Sequence, residues 1–573
     1  MRRISLLALG LSLTGLVTVS GSATAAPDRP TRVAAGTAAF PNDAYPAYDL
    51  GVQNRPPGVD GRDAGHSALI GETSLWAYGD TAGPGKWLTN TGATNVQGFL
   101  DVNEPVDAGG FSRDLLVPFT SAESAANAAA ATAGEKYWIW PQGIIARPTT
   151  QSSLVFWERG RVDLAVGYGQ VGLADVHEGD TVAVRRAALF TAQDCSWIMP
   201  VLGSDSYVYL YGAPDEPGKD RTNCPNRGSS PAGSRMVARA PLSQAGTKSA
   251  YTYWNGTTWA TSPMTAVPVF SMVTPQVSWS DGLGAYLAIG GYLNDSTYRT
   301  APSPQGPWSA EQPWITPAPG ATGWGNYAWI NHPEHAGADG GVLLTSYFRS
   351  TAANVGEHHL LAVDTRSNPA THLADYIDRT FQEMLGRAAT SSDITYWSGQ
   401  LTARTQTVST FTRSLARSSE GLRYRVGQAY QAVLQRAASS SERSYWATQM
   451  ADNGWGYDIL VAKIASSAEM SGQFSTTGAY VDAIYLRTLD RAADSAGRAY
   501  WVGQLDSNAV SRYTFVRSLV QSDESGRHQA DLAYQDILGR PATVKQQGAV
   551  SAVARDALLI RHRVAATAEA IGA

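Results

Sequence analysis

The sequence predicts a multidomain chain: an all-β five-bladed propeller followed by an all-α helical repeat domain. Three observations carry this reading. Over residues 51–365, short strand-like runs are bounded by Gly, Pro, Asn and Asp, with hardly any helical periodicity. The runs gather in five clusters, 60–120, 136–192, 204–260, 268–315 and 324–364, each able to supply the strands of one blade. From about residue 370 the apolar spacing turns helical, and a Leu-x-Arg marker recurs at a near-constant interval. A pair of β-sandwiches is the alternative for the first part, because the clusters share little sequence with one another.

The bulk numbers fit such a chain. A length of 573 residues suits two to four domains, and 43% hydrophobic content suffices for full cores. Only 16% of residues are charged, whereas Trp (17) and Tyr (26) are plentiful. With a formal charge of −5 and no basic run, nucleic acid and anionic membrane are not expected partners.

Residues 1–25 read as a signal peptide. Arg2 and Arg3 precede the apolar run Ile4 to Val19, and Ala23-Thr24-Ala25 fits a small-x-small cleavage site. An uncleaved anchor is the alternative, disfavoured by the short apolar run. The expected mature protein is secreted, lacks a transmembrane segment and carries a charge of −7. Residues 26–50, rich in Ala, Pro and Thr, are expected as a lead-in segment.

The first cluster of the 51–365 module is the most informative. Ser67–Ile70 and Ser74–Tyr78 flank a Gly-Glu-Thr turn, which is a β-hairpin signal. Asp63 stands just before the first run and Asp80 just after the second, so both fall at the open end of the hairpin. Two carboxylates sharing a cavity are the minimum equipment for glycoside hydrolysis. The plain alternative is that Asp80 caps a turn. Glu104 and Asp107 follow on a loop that either hangs over a funnel or is solvated turn chemistry. Asn331-His332-Pro333-Glu334-His335 opens the last cluster. Pro333 forbids the helix that would support a His/Glu metal site, so no metal and no cofactor are expected there. Glu158, beside Arg159, reads as an exposed, salt-bridged residue. Trp138, Trp140, Trp279, Trp324, Tyr327 and Trp329 are candidate sugar-stacking faces, with inter-blade packing as the alternative. Cys195 and Cys224 are the only cysteines and are expected to form one disulfide in an exported chain.

Several phrases carry a resemblance over roughly 50–365. Met236-Val-Ala-Arg239-Ala-Pro, Tyr251-Thr-Tyr-Trp-Asn-Gly-Thr-Thr-Trp259 and Ala301-Pro-Ser-Pro-Gln-Gly-Pro-Trp308-Ser resemble bacterial five-bladed, arabinanase-like glycosidases. Asp63-Ala-Gly-His-Ser with Trp76-Ala-Tyr-Gly-Asp80-Thr resembles the endo-D-arabinanase family. The resemblance implies an arabinan-type furanoside polysaccharide as substrate, with a water-activating aspartate and an acid on a central funnel. The site expected there takes Asp63, Asp80 and Glu334 as catalytic residues. It takes His66, Glu104, Asp107, His332, His335, Trp140, Gln276 and Tyr327 as substrate contacts.

The second module opens on a repeat. Leu385-Gly-Arg387, Leu434-Gln-Arg436, Leu489-Asp-Arg491 and Leu538-Gly-Arg540 recur at intervals of 49, 55 and 49 residues. Tyr396-Trp397, Tyr445-Trp446 and Tyr500-Trp501 follow in register, and Glu420, Glu469 and Glu524 close the units. The arginines suit helix C-termini and are expected to pair with the glutamates, while the Tyr-Trp pairs are expected in the core. The array spans 374–545 as about three and a half units, and 546–573 is expected as one C-terminal helix. It resembles a tandem helical domain of unknown function found in exported actinobacterial proteins. That resemblance implies attachment to a cell envelope or a protein partner. A non-catalytic glycan- or protein-binding propeller in an adhesin-like protein is the rival to the hydrolase, and a purely structural secreted protein is the third reading.

Overall fold

The computed structural model describes residue 40 and residues 42–129, 137–161, 169–214, 221–225, 231, 233–291, 295–320, 325–352, 355–553 and 556–573. The signal segment, nearly all of 26–41 and Trp324 lie outside the described residues.

The described strands form five antiparallel sheets arranged as the blades of a propeller. Blade one comprises Gly61–Ile70, Thr73–Gly83, Lys86–Leu88 and Thr91–Val96. Blade two runs from Tyr137–Arg147 through Ser152–Arg161 and Gln170–His177 to Val184–Phe190. Blade three starts with Trp197–Leu202, Tyr207–Gly212 and Ser234–Pro241. Blade four starts with Gln276–Ser280, Ala285–Gly290 and Thr297–Ala301. Blade five takes Asn326–Asn331, Val342–Ala352 and Val355–Asp364, and its outermost strand is Ala47–Val52. Part of the expected lead-in is therefore the strand that closes the ring. Apolar side chains fill the seams between blades. Leu75 and Ala77 meet Ile139, Val155 and Trp157 between blades one and two, and Leu287 and Ile289 meet Trp329 and Tyr347 between four and five.

The predicted hairpin forms, but its strands are longer than the apolar runs. Asp63 and Asp80 lie inside them rather than beyond their ends. The register shifts between Arg62 and Ala64 and again between Ala64 and His66, with Ala64 at φ 58° and Gly65 at φ 94°. A strand bulge of this kind bends the chain and re-aims a side chain. Gly65 is required twice over: its φ suits glycine, and a Cβ there would lie 2.8 Å from the His358 ring. Cys195 and Cys224 are joined, with Cα atoms 4.9 Å apart.

The described residues of the helical module make four units rather than the expected three and a half. First helices are Pro369–Leu385, Ser419–Leu434, Thr477–Leu489 and Asp523–Leu538. Second helices are Ser391–Thr402, Ser440–Asn453, Ser495–Asp506 and Val544–Val553, and third helices are Val408–Arg417, Tyr457–Ala465, Arg512–Val520 and Ala557–Ala565. The expected single helix over 546–573 is thus corrected: it is broken where Asp556 and Thr567 cap new helices, the last being Ala568–Gly572. Each marker arginine reaches the next glutamate, Arg387 to Glu420, Arg436 to Glu469 and Arg491 to Glu524, and Arg540 repeats the contact with Glu569 at 2.7 Å. The first three pairs are solvent-exposed and fix register more than they stabilise, whereas Glu569 in the fourth is largely covered.

The two modules share one core. Tyr48, Leu50, Trp76, Val342 and Leu360 of the propeller cluster with Leu373, Phe381, Phe411 and Ile571 of the array. Arg404 donates to the Ala47 carbonyl at 3.0 Å and pairs with Asp43. The last helix presses its Gly572 backbone onto Gly337, so closely that a Cβ on Gly337 would lie 3.1 Å from the Gly572 Cα. Phe411→Ala, a fully buried truncation in this shared core, is expected to cost about 3–5 kcal/mol. Because the core is joint, far-ultraviolet helical signal and propeller tryptophan fluorescence should both move to lower urea midpoints in this variant.

Candidate active site

Blade one and its neighbours converge on Asp63 and Asp80. The bulge in Gly61–Ile70 brings an Asp63 carboxylate oxygen against the backbone of Gly79, where any Cβ would meet it at 2.3 Å. Asp80 is the next residue. Side chains from the two neighbouring blades reach the pair. Tyr327, on the innermost strand of blade five, donates its hydroxyl to Asp63 Oδ2 at 3.1 Å. Trp140, on the innermost strand of blade two, donates its indole N–H to Asp80 Oδ1 at 2.9 Å and stacks on Trp138 with ring centres 4.0 Å apart. Tyr327 is also set by a bulge: register shifts between Tyr327 and Ile330, and Ala328 has φ 54°.

The electrostatics of the pair follow from this geometry. Both aspartates are half-buried, open to solvent on one side yet surrounded by protein. Burial raises the affinity of Asp63 for a proton, and the neighbouring charge of Asp80 raises it further. Burial also raises Asp80, while hydrogen bonds from the Trp140 and Trp87 indoles favour its ionised form. The two titrate as one unit. At intermediate pH the pair carries one proton, and the indole hydrogen bonds favour Asp80 as its ionised member.

Glu334 stands farther along the same wall. It lies beyond the far end of Asn326–Asn331 and accepts from Ser67, four residues past Asp63 on its strand. Burial pushes its carboxyl up to about 7. Around it are neutral imidazoles. His332 bonds Ser67 at 2.6 Å and Ser346 at 2.8 Å, and His335 Nδ1 accepts from the Gly98 N–H at 3.1 Å. Trp76 covers both rings, with centroids 4.4 and 5.7 Å away. Desolvation lowers His66 to about 4, His335 to about 3 and His332 well below its ordinary value.

Other expected contacts have different placements. Glu104 pairs with the buried Arg62 and accepts from Ser112 at 2.7 Å, with Arg62 lying 3.8 Å from the Tyr78 ring centre. Asp107 pairs with Lys86 and caps the Gly109 and Phe111 amides of its own turn. Gln276 begins the innermost strand of blade four and is half-buried. Trp329 is buried against Tyr347, and Trp279 donates to Asp281 at 2.7 Å. Glu158 corrects the expectation of exposure: it is 1% exposed, accepts from Gln142 at 3.3 Å, and burial pushes it up to about 8. Its sequence neighbour Arg159 pairs with Glu123 instead. Strand alternation is the signal that could have found this, because adjacent residues face opposite sides. Glu158 opposes Trp140 across the blade and so belongs to the same face.

Among the described residues, no His, Cys, Asp and Glu side chains form a group of three or more able to hold a metal, and no helix is long and apolar enough to cross a membrane. A cavity of about 570 Å³ lies in the helical module instead, where Arg425 and Arg561 of its wall both engage Glu383.

A family profile described as "Domain of unknown function (DUF4214)" matches residues 463–529. No curated protein matches the chain in sequence. Solved structures similar to it include a GH43_1 enzyme from Xanthomonas citri, 13% identical over 56% of this chain and 90% of that one, with a TM-score of 0.35. Another is an α-L-arabinofuranosidase from Podospora anserina, 11% identical over 56% of this chain and 98% of that one, TM-score 0.34. An exo-β-1,3-galactanase from Phanerochaete chrysosporium is 12% identical over 56% of this chain and 64% of that one, TM-score 0.34.

Glu158 supplies a pH test. A carboxyl whose folded pKa is raised binds its proton more tightly folded than unfolded, so its contribution favours folding at low pH. That contribution is lost as pH rises from the ordinary carboxyl range through about 8. Glu158→Gln keeps the neutral shape. It should match the parent near pH 4 and exceed it above pH 8 by on the order of 2–4 kcal/mol, read from urea midpoints at both pH values.

Proposed function

We propose that the chain is a secreted glycoside hydrolase acting on a furanoside polysaccharide, arabinan-type by its sequence phrases. The observation that carries the proposal is the neighbouring Asp63 and Asp80 carboxyls, bonded to Tyr327 and Trp140 from the adjoining blades. Glycosidic cleavage needs one protonated and one ionised carboxyl across the scissile bond. Asp63 keeps its proton because burial and Asp80 both oppose its ionisation, so it protonates the departing oxygen. Asp80, steadied by indole N–H groups, serves as the ionised partner on the anomeric side. The face of Trp140 offers a sugar-stacking surface beside the pair. The charged leader, small-x-small site and Cys195–Cys224 bridge support export.

Incubation with D-arabinan, L-arabinan and arabinogalactan, followed by chromatography of fragments, tests the proposal. Oligosaccharides should be released, and Asp63→Asn or Asp80→Asn should each reduce release by about 10²–10⁴-fold. The pH–rate profile should be bell-shaped, flanked by the two apparent values of the pair. Activity that survives both substitutions removes the site assignment. No release from any of the three polymers favours the binding-propeller reading.

A further inference from the structure

The helical module carries recurring chemistry that its core does not require. The second helices of the first three units present Tyr396, Tyr445 and Tyr500, each six residues after its N-cap. Their exposures are 56%, 58% and 56%. The tryptophan that follows each one turns inward. Trp397 packs on Phe411 at 4.7 Å, Trp501 on Phe515 at 4.9 Å, and Trp446 donates to the Tyr430 hydroxyl at 2.8 Å. The tyrosines stand edge-on to these tryptophans at 5.1, 5.2 and 4.9 Å, which holds each ring in one pose on the outside. One turn later come Gln400, Gln449 and Gln504, all half-buried, and the i,i+4 spacing puts an amide beside each ring.

The fourth unit is informative by contrast. Its second helix has Ala549 and Val553 at the two equivalent positions. That helix is docked on the propeller: Thr543 donates to Glu72 at 2.9 Å, Lys545 pairs with Glu178, and Gln546 donates to the Gln97 carbonyl at 2.9 Å. The Tyr–Gln pair is therefore absent from the helix whose N-terminal turn is held against blade one, and present on three others; Ser391–Thr402 also touches the strand Ala47–Val52, yet its Tyr396 stays in solvent. Core packing accounts for the tryptophans but not for a large ring left in water three times. Two of the cations nearby are neutralised locally, Arg387 by Asp393 and Glu420, and Arg436 by Glu442 and Glu469. The setting suits a neutral ligand. An aromatic face beside an amide matches the C–H face and hydroxyls of a sugar, and a repeated surface matches a repeating polymer.

We propose that the helical array is a multivalent binding surface for a neutral polysaccharide, with Tyr396, Tyr445 and Tyr500 as stacking platforms and the three glutamines as hydroxyl partners. The surface is distinct from the propeller's carboxylate pair and stands whether or not that pair cleaves. The test is affinity electrophoresis of the full chain bearing Asp80→Asn, to prevent cleavage, in gels containing arabinan, arabinogalactan or xylan. At least one polymer should retard it. Each single Tyr→Ala change should weaken retardation about threefold to tenfold, and the triple change by about 10²-fold. Tyr→Phe at all three positions should retain most of it. Retardation unchanged in a triple Ala variant with intact helical circular dichroism overturns the proposal, as does absence of retardation by all three polymers. Should the triple Ala variant lose helical signal, the triple Gln→Ala variant decides, and unchanged retardation there also overturns it.

Discussion

Ring closure is the constraint on which the rest of this molecule depends. Ala47–Val52 hydrogen-bonds along Val355–Asp364, so the described chain begins and ends its propeller in the same blade. Blade five is thereby locked beside blade one, and that adjacency sets Tyr327 on Asp63 and Glu334 on Ser67. An outermost strand is also an edge, with unpaired backbone groups that invite foreign pairing. Here the array covers it. Tyr48 and Leu50 enter the core shared with Leu373 and Phe411, and Arg404 binds the Ala47 carbonyl. The helical module is therefore part of what keeps the ring shut.

The site uses that rigidity to hold an unfavourable arrangement. Two carboxyls near one another in a poorly solvated place repel, and each prefers its proton. Glu158 and Glu334 meet the same burial, while the surrounding histidines respond in the opposite sense and stay neutral. Few countercharges are supplied: Arg62, the nearest cation on the strand, is taken up by Glu104. Bulges at Ala64 and Ala328 are the local means by which the two presenting strands aim Asp63 and Tyr327 at each other. Non-glycine residues in left-handed backbone cost energy that a closed, well-packed ring can sustain.

Much of the fold was legible because it rests on local signals. The hairpin around Gly71-Glu72, the turn-bounded strands and the Leu-x-Arg register are all readable within a few residues. What escaped depends on distance or on side-chain direction. Ala47–Val52 has no strand signature apart from its partner about 300 residues later. Glu104 and Asp107 looked like funnel acids because no sequence pattern announces Arg62 and Lys86 as their partners. Adjacency to Arg159 suggests an ion pair for Glu158, whereas strand neighbours point to opposite faces. Asp63, Asp80, Trp140 and Tyr327 each stand out in the sequence, but their meeting at one point requires blades one, two and five to abut, which no single segment encodes.

The repeats extend the same argument to the second module. In each unit the Arg–Glu clasp joins the end of one first helix to the start of the next segment, so units stack in fixed register. Fixed register makes surface residues at equivalent positions point alike, and a difference between units then marks a difference in surroundings. The Tyr-Trp pair separates on this basis. Its tryptophan answers to the core and gives way in the fourth unit to the buried Val550, whereas its tyrosine answers to the outside. In the fourth unit the outside is the propeller, where Arg540 clasps Glu569 beside Gly98 and the last helix rests on blade five. The first and fourth units both dock on the ring, but only in the fourth is the tyrosine replaced, and the first three units keep theirs in solvent.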